Sequence, residues 1–203
     1  MSITLFIILL TSLVSILGFK NRELFDKFKL NPYAVVHKKE YVRVFSHAVL
    51  HADWTHLGFN MFTLWFFGHS AEQFCDYYFE HGKLIFILIY ILSIVVSALP
   101  SIIKHKNDQW YNSIGASGAV AAVLFASIFF DPRMGIYMFF IPIAIPGFVF
   151  GIAYLAYTQY MGKQGRDNIN HDAHFAGAVF GFIFPLIMQP ALFSVFLNKL
   201  IGG

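Results

Sequence analysis

Two residues in this chain have the types and surroundings for nucleophilic chemistry. Ser117 sits in Gly115-Ala116-Ser117-Gly118 at the head of a long apolar segment, and His174 heads another. A serine hydroxyl attacks a carbonyl only when a neighbouring base takes its proton, which needs an imidazole nitrogen within about 2.6–3.2 Å. The first N–H groups of a helix lack internal partners and carry the positive end of the helix dipole. An oxyanion forming beside Ser117 would therefore find donors, as acyl transfer requires. Gly115 and Gly118 permit close approach of backbone or substrate. A competing reading makes Gly118, Ala122 and Ala126 a small-residue packing stripe with Ser117 as a bystander. On the other segment Ala173, Gly177 and Gly181 recur every four residues, a spacing that lets two helices approach closely. If the two small-residue faces meet, Ser117 and His174 lie near the same end of their helices.

A third group is His47, His51, Asp53, His56 and Asn60. Asp53 suits a helix N-cap, which places His56 and Asn60 one turn apart on one face. Both side chains can donate hydrogen bonds, and such donors commonly complete an oxyanion hole. The clustered imidazoles also resemble metal ligands, but no HExxH, no Glu among them and no Cys ligand accompanies them. No metal and no cofactor is expected.

These residues need a scaffold, and composition says what kind. Of 203 residues 58% are hydrophobic, and the mean hydropathy of +0.63 is too apolar for a water-soluble domain. Six segments approach the ~20 apolar residues that a bilayer core demands: 2–19, 54–72, 84–103, 114–130, 135–158 and 174–197. The chain reads as one all-α domain over 1–203, a polytopic membrane bundle of six transmembrane helices. The first segment has no basic n-region and ends without a small-residue cleavage site, so it reads as a retained span. One cysteine, Cys75, excludes an internal disulfide. The net charge of +3 makes no case for nucleic-acid binding. The loop from Lys20 to Asp53 mixes charges with Phe25, Phe28, Leu30, Tyr33, Val35 and Val36, which suits a structured interfacial loop.

The pieces together resemble the rhomboid intramembrane serine proteases, in their minimal six-helix bacterial form. The matching residues are His51-x4-His56-x3-Asn60, Gly115-Ala116-Ser117-Gly118 and Ala173-His174-x2-Gly177-x3-Gly181, in order and at the heads of their spans. Glu40 with Arg43 falls where the family's first loop carries its Glu and Arg. Phe140 to Pro146 looks like the Pro-containing lead-in to the fifth helix. The resemblance implies that Ser117 is the nucleophile and His174 the general base. It implies an oxyanion hole of His56, Asn60 and the Ser117 backbone N–H. His51, Gly115, Gly177, Gly181, Glu40 and Arg43 would support the site. The reaction would be hydrolysis of a peptide bond in or near the transmembrane segment of single-span substrates, without cofactor.

Two positions depart from the family pattern. Ala121 stands one turn after the serine, where the family often has an aromatic residue stacked on the histidine. Val42 replaces the first-loop Trp. Something else, such as Asn60, His171 or a nearby Phe, must then orient the imidazole. Asp172 reads as the cap of the last helix. The family places the site on the extracytoplasmic side of the inner cell membrane. Yet seven of the 14 Lys and Arg lie in the first loop, which the positive-inside rule would put in the cytoplasm. Two other functions compete: an inactive rhomboid-like binder of membrane helices, and a metal or proton carrier lined by His47, His51, His56, His171 and His174. The carrier lacks the mid-membrane carboxylates such proteins use.

Overall fold

A computed structural model of the protein describes residues 2–138, 141–165 and 167–202. Its helices are α1 (Ile3–Lys20), α2 (Arg22–Phe28), α3 (Pro32–His37), α4 (Arg43–Ser46), α5 (Trp54–Thr63), α6 (His69–Tyr78), α7 (Gly82–His105), α8 (Ser117–Phe130), α9 (Gly147–Gln164), α10 (His171–Met188) and α11 (Leu192–Ile201). A two-stranded antiparallel hairpin, β1 (Gly135–Met138) and β2 (Ile141–Pro146), precedes α9. Among the described residues three helices, α1, α7 and α10, are long and apolar enough to cross a membrane.

The fold is mostly helical, as the all-α reading expects, with one short antiparallel strand pair before α9 that this reading did not include. Residues 135–158 are not one span. Pro142 and Pro146 donate no backbone N–H, and each disfavours helix at the residue before it. The chain there pairs as strands, and α9 begins only at Gly147. Of the Pro-containing lead-in, Phe140 lies outside the described residues. The last segment, 174–197, also divides. Gln189 precedes Pro190 and takes an extended conformation (φ −148°, ψ 89°), which ends α10 before α11 starts at Leu192. The second segment instead runs on to Tyr78, because a π-helical stretch at Leu64–Gly68 joins α5 to α6.

The centre of the bundle is α8, buried from Gly118 to Phe130. At 14 residues it is only ~21 Å long, shorter than the ~30 Å hydrocarbon core. Its most extensive neighbour is α10, and α7 packs on both. Lipid gives apolar side chains no drive to associate, so close backbone packing must hold such helices together. Glycine supplies it. A Cβ on Gly177 would collide with the Gly118 carbonyl, and one on Gly181 with the Ala122 carbonyl.

The other half is clasped by polar contacts. The buried Glu72 carboxylate accepts from the N–H of Ile3 (2.9 Å), the N–H of Thr4 (3.0 Å) and the Thr4 hydroxyl (2.8 Å). A carboxylate is favoured at a helix N-terminus, where it meets free donors and the positive dipole end. Gly68 allows this approach, since a Cβ there would come within 2.6 Å of Thr4 Cγ2.

Candidate active site

The strand-like run into Ser117 is fixed by the first loop. Leu30 and Ser113 exchange backbone hydrogen bonds of 2.9 Å each, and the Gly115 N–H donates to the His47 carbonyl at 3.0 Å. Ser117 is then the first residue of α8, whose N-terminus no side chain caps. The first N–H groups of such a helix have no carbonyl partner within it. Across the glycine seam, Ser117 Oγ lies 2.7 Å from His174 Nε2, within the reach a nucleophile and its base require. The α8–α10 packing thus sets both the register and the separation of the pair.

His56 and Asn60 lie on α5, one turn apart. Asp53 caps that helix by accepting from the His56 N–H at 2.8 Å. Gly115 has φ +116°, a backbone conformation that side-chain-bearing residues rarely adopt. A Cβ there would lie 2.7 Å from Cε1 and 2.8 Å from Nε2 of His56. Gly115 therefore admits the His56 ring to the serine's side of the bundle. Asn60 is buried, and one hydrogen of its amide goes to the His56 carbonyl at 2.9 Å. A second hydrogen remains on the same nitrogen.

His51 stands behind His56, with ring centroids 4.9 Å apart in an edge contact. The Ser15 hydroxyl donates its proton to the Val49 carbonyl (2.9 Å), so it accepts from His51 Nδ1 (3.0 Å). His51 is fully buried, and burial, with a smaller effect from His56, pushes its pKa down to about 3. His47 is also buried, donates Nδ1–H to the Arg43 carbonyl, and is pushed down to about 4 by burial. Both rings are neutral supports. Arg43 pairs with Glu40 and donates to the carbonyls of Asp26 (2.8 Å) and Lys29 (2.9 Å), which pins the first loop.

Asp172 does not cap α10. Asn170 does, accepting from the Ala173 N–H at 3.1 Å, because its side chain also bonds Ser101 (2.7 Å) and Ser113 (3.1 Å) behind the helix end. Asp172 pairs instead with Lys104 at 3.4 Å. Three contributors escaped the sequence reading: Ser15, Glu72 and Asp167. Ser15 was legible in principle, since Thr4, Thr11, Ser15 and Gly18 mark the buried face of an otherwise apolar α1. Asp167 and Glu72 find their partners only through the fold.

Residues 38–191, most of the chain, match the rhomboid domain, and the chain belongs to the rhomboid family. It is 30% identical over 111 residues to Rhomboid protease GlpG of Enterobacter sp. (strain 638), which covers 53% of this chain and 36% of that one. It is 28% identical over 147 residues to RHOMBOID-like protein 12, mitochondrial, of Arabidopsis thaliana (64% and 41% covered). Against Rhomboid protein 1, mitochondrial, of Saccharomyces cerevisiae it is 26% identical over 162 residues (76% and 45% covered). These matches span less than half of each relative's own length. Membership of this family and the apolar helices make the chain a polytopic membrane protein.

Proposed function

We propose that this chain is an intramembrane serine endopeptidase working through a Ser117–His174 dyad. The observation that carries the reading is the 2.7 Å contact of Ser117 Oγ with His174 Nε2 at the uncapped head of α8. His174 takes the serine proton as Oγ attacks the scissile carbonyl. The resulting oxyanion meets the Ser117 N–H, the spare Asn60 amide hydrogen and the His56 ring. His174 returns the proton to the leaving amine, and water then hydrolyses the acyl-enzyme. The substrates are single-span membrane proteins cut in or near the transmembrane segment, as the similarity to a rhomboid protease suggests. An inactive binder would have no use for the dyad contact. A metal carrier would need three or more ligands close together, and among the described residues His, Cys, Asp and Glu form no such group.

The test is cleavage of a generic single-span substrate by the purified full chain. Ser117→Ala lowers the rate by at least about 10³-fold, since no other nucleophile is available. The protein still folds, because losing a hydroxyl at a helix start leaves no large cavity. Cleavage near the wild-type rate by this variant sinks the serine mechanism.

The site faces the extracytoplasmic side of the inner cell membrane. This orientation follows the rhomboid resemblance, and the seven Lys and Arg of the first loop stand against it. Asn107 is exposed on the loop leading to Ser117. In a Cys75→Ser background, Asn107→Cys reacts with a membrane-impermeant thiol reagent added outside intact cells. Labelling only after lysis reverses the orientation.

A further inference from the structure

Ala121, one turn after Ser117, has no ring to set against His174. The ring contact comes instead from the histidine's own helix. His171, one turn earlier, meets His174 edge-on with centroids 6.2 Å apart and an interplanar angle of 71°. His171 is itself held from two directions. Its Nε2 lies 3.1 Å from both carboxylate oxygens of Asp167, and Tyr157 of α9 makes an edge contact at 5.6 Å. Its side chain is 3% exposed.

We propose that Asp167 and His171 are a positioning pair that fixes the His174 ring against Ser117, and the proposal rests on the serine-protease reading above. A carboxylate can only accept, so Nε2 of His171 carries a proton and Asp167 fixes the ring. Hydrogen bonding to His171 holds the Asp167 carboxyl below its usual range, so it is ionised at neutral pH. Ring and carboxylate thus share a fixed hydrogen bond on the α9–α10 connection, and His171 transmits that fixity to His174 through ring contact. A base displaced by about 1 Å can lose roughly 10²-fold in rate, so orientation at this point has leverage on turnover.

The experiment measures kcat and KM of the purified full chain on a single-span substrate, with labelling of Ser117 by a fluorophosphonate probe as a second readout. His171→Ala lowers kcat about 10- to 100-fold with KM within about two-fold, and slows labelling in parallel. His171→Phe, which keeps a ring edge, loses less than His171→Ala. Asp167 has a partly exposed side chain (31%), so Asp167→Ala folds even where a buried substitution does not. It lowers kcat several-fold, and Asp167→Glu restores most of the loss. Wild-type kcat in both alanine variants, a loss confined to KM, or no rescue by Glu overturns the pair while Ser117→Ala remains dead. Survival of cleavage in Ser117→Ala overturns the underlying reading instead.

Discussion

The two walls of the site are built by opposite means. On one side, α8 and α10 meet backbone to backbone, through Gly118, Ala122, Gly177 and Gly181. On the other, the first loop and α5 meet through side chains: Ser15 on His51, His51 on His56, and Arg43 on Glu40 and two carbonyls. The first wall sets the spacing of the two backbones that carry Ser117 and His174 by steric contact, which pH and salt do not alter. The second aims His56 through hydrogen bonds and neutral imidazoles, which acid can disturb. Backbone spacing at the nucleophile is a packing property here, and the wall opposite is an electrostatic one.

The largest effect should come from breaking the packed wall. Gly181→Ala puts a methyl group into the Ala122 carbonyl, with only backbone to give way. We expect cleavage to fall by about 10²-fold or more. The melting temperature should fall too, since overpacking typically costs about 1–3 kcal/mol. A Gly181→Ala protein with wild-type turnover and melting would show that the seam is looser than described.

Acid should distinguish the walls next. His51 and His47 have folded pKa values pushed below the ordinary 6.5, to about 3 and about 4. The unfolded chain therefore binds more protons in the window below pH 6.5. Their stabilising contribution is full above 6.5 and is lost as pH falls toward those lower values. Between pH 6.5 and 5 each buried neutral imidazole removes about 2 kcal/mol of stability. Melting in detergent at pH 7.5 and 5 measures this. His51→Gln, neutral throughout, should show a smaller drop than wild type, and an equal drop would remove His51 from the account.

The smallest effect is a control on the seam. Gly151 lies in α9, where an added Cβ would make ordinary contact with Phe125 at 3.4 Å and Ile128 at 3.7 Å. Gly151→Ala should be neutral or stabilising, by up to about 1 kcal/mol from helix propensity. Turnover should change little. A loss comparable with that of Gly181→Ala would mean that small residues matter throughout the bundle and not at α8–α10 in particular.

Much of this was readable from the chain alone. Family, membrane character and the residues now found around Ser117 follow from short motifs, because glycine spacing and helix caps are local codes. Asp53 caps α5, and the Ala173-Gly177-Gly181 face meets α8, for reasons a few residues long. The span limits were less legible. Hydropathy saw 135–158 and 174–197 as continuous, whereas backbone hydrogen bonding lost at prolines divides both. What only the tertiary structure decided is which polar groups pair over long separations. Ser15 with His51, Glu72 with the head of α1, and Asn170 with Ser101 and Ser113 join residues that no local pattern links. Asp167 and His171 are four residues apart, but their pairing depends on how the α9–α10 connection folds over the helix end. A sequence names its donors and acceptors; which of them meet inside an apolar bundle is settled by the packing of the helices that carry them.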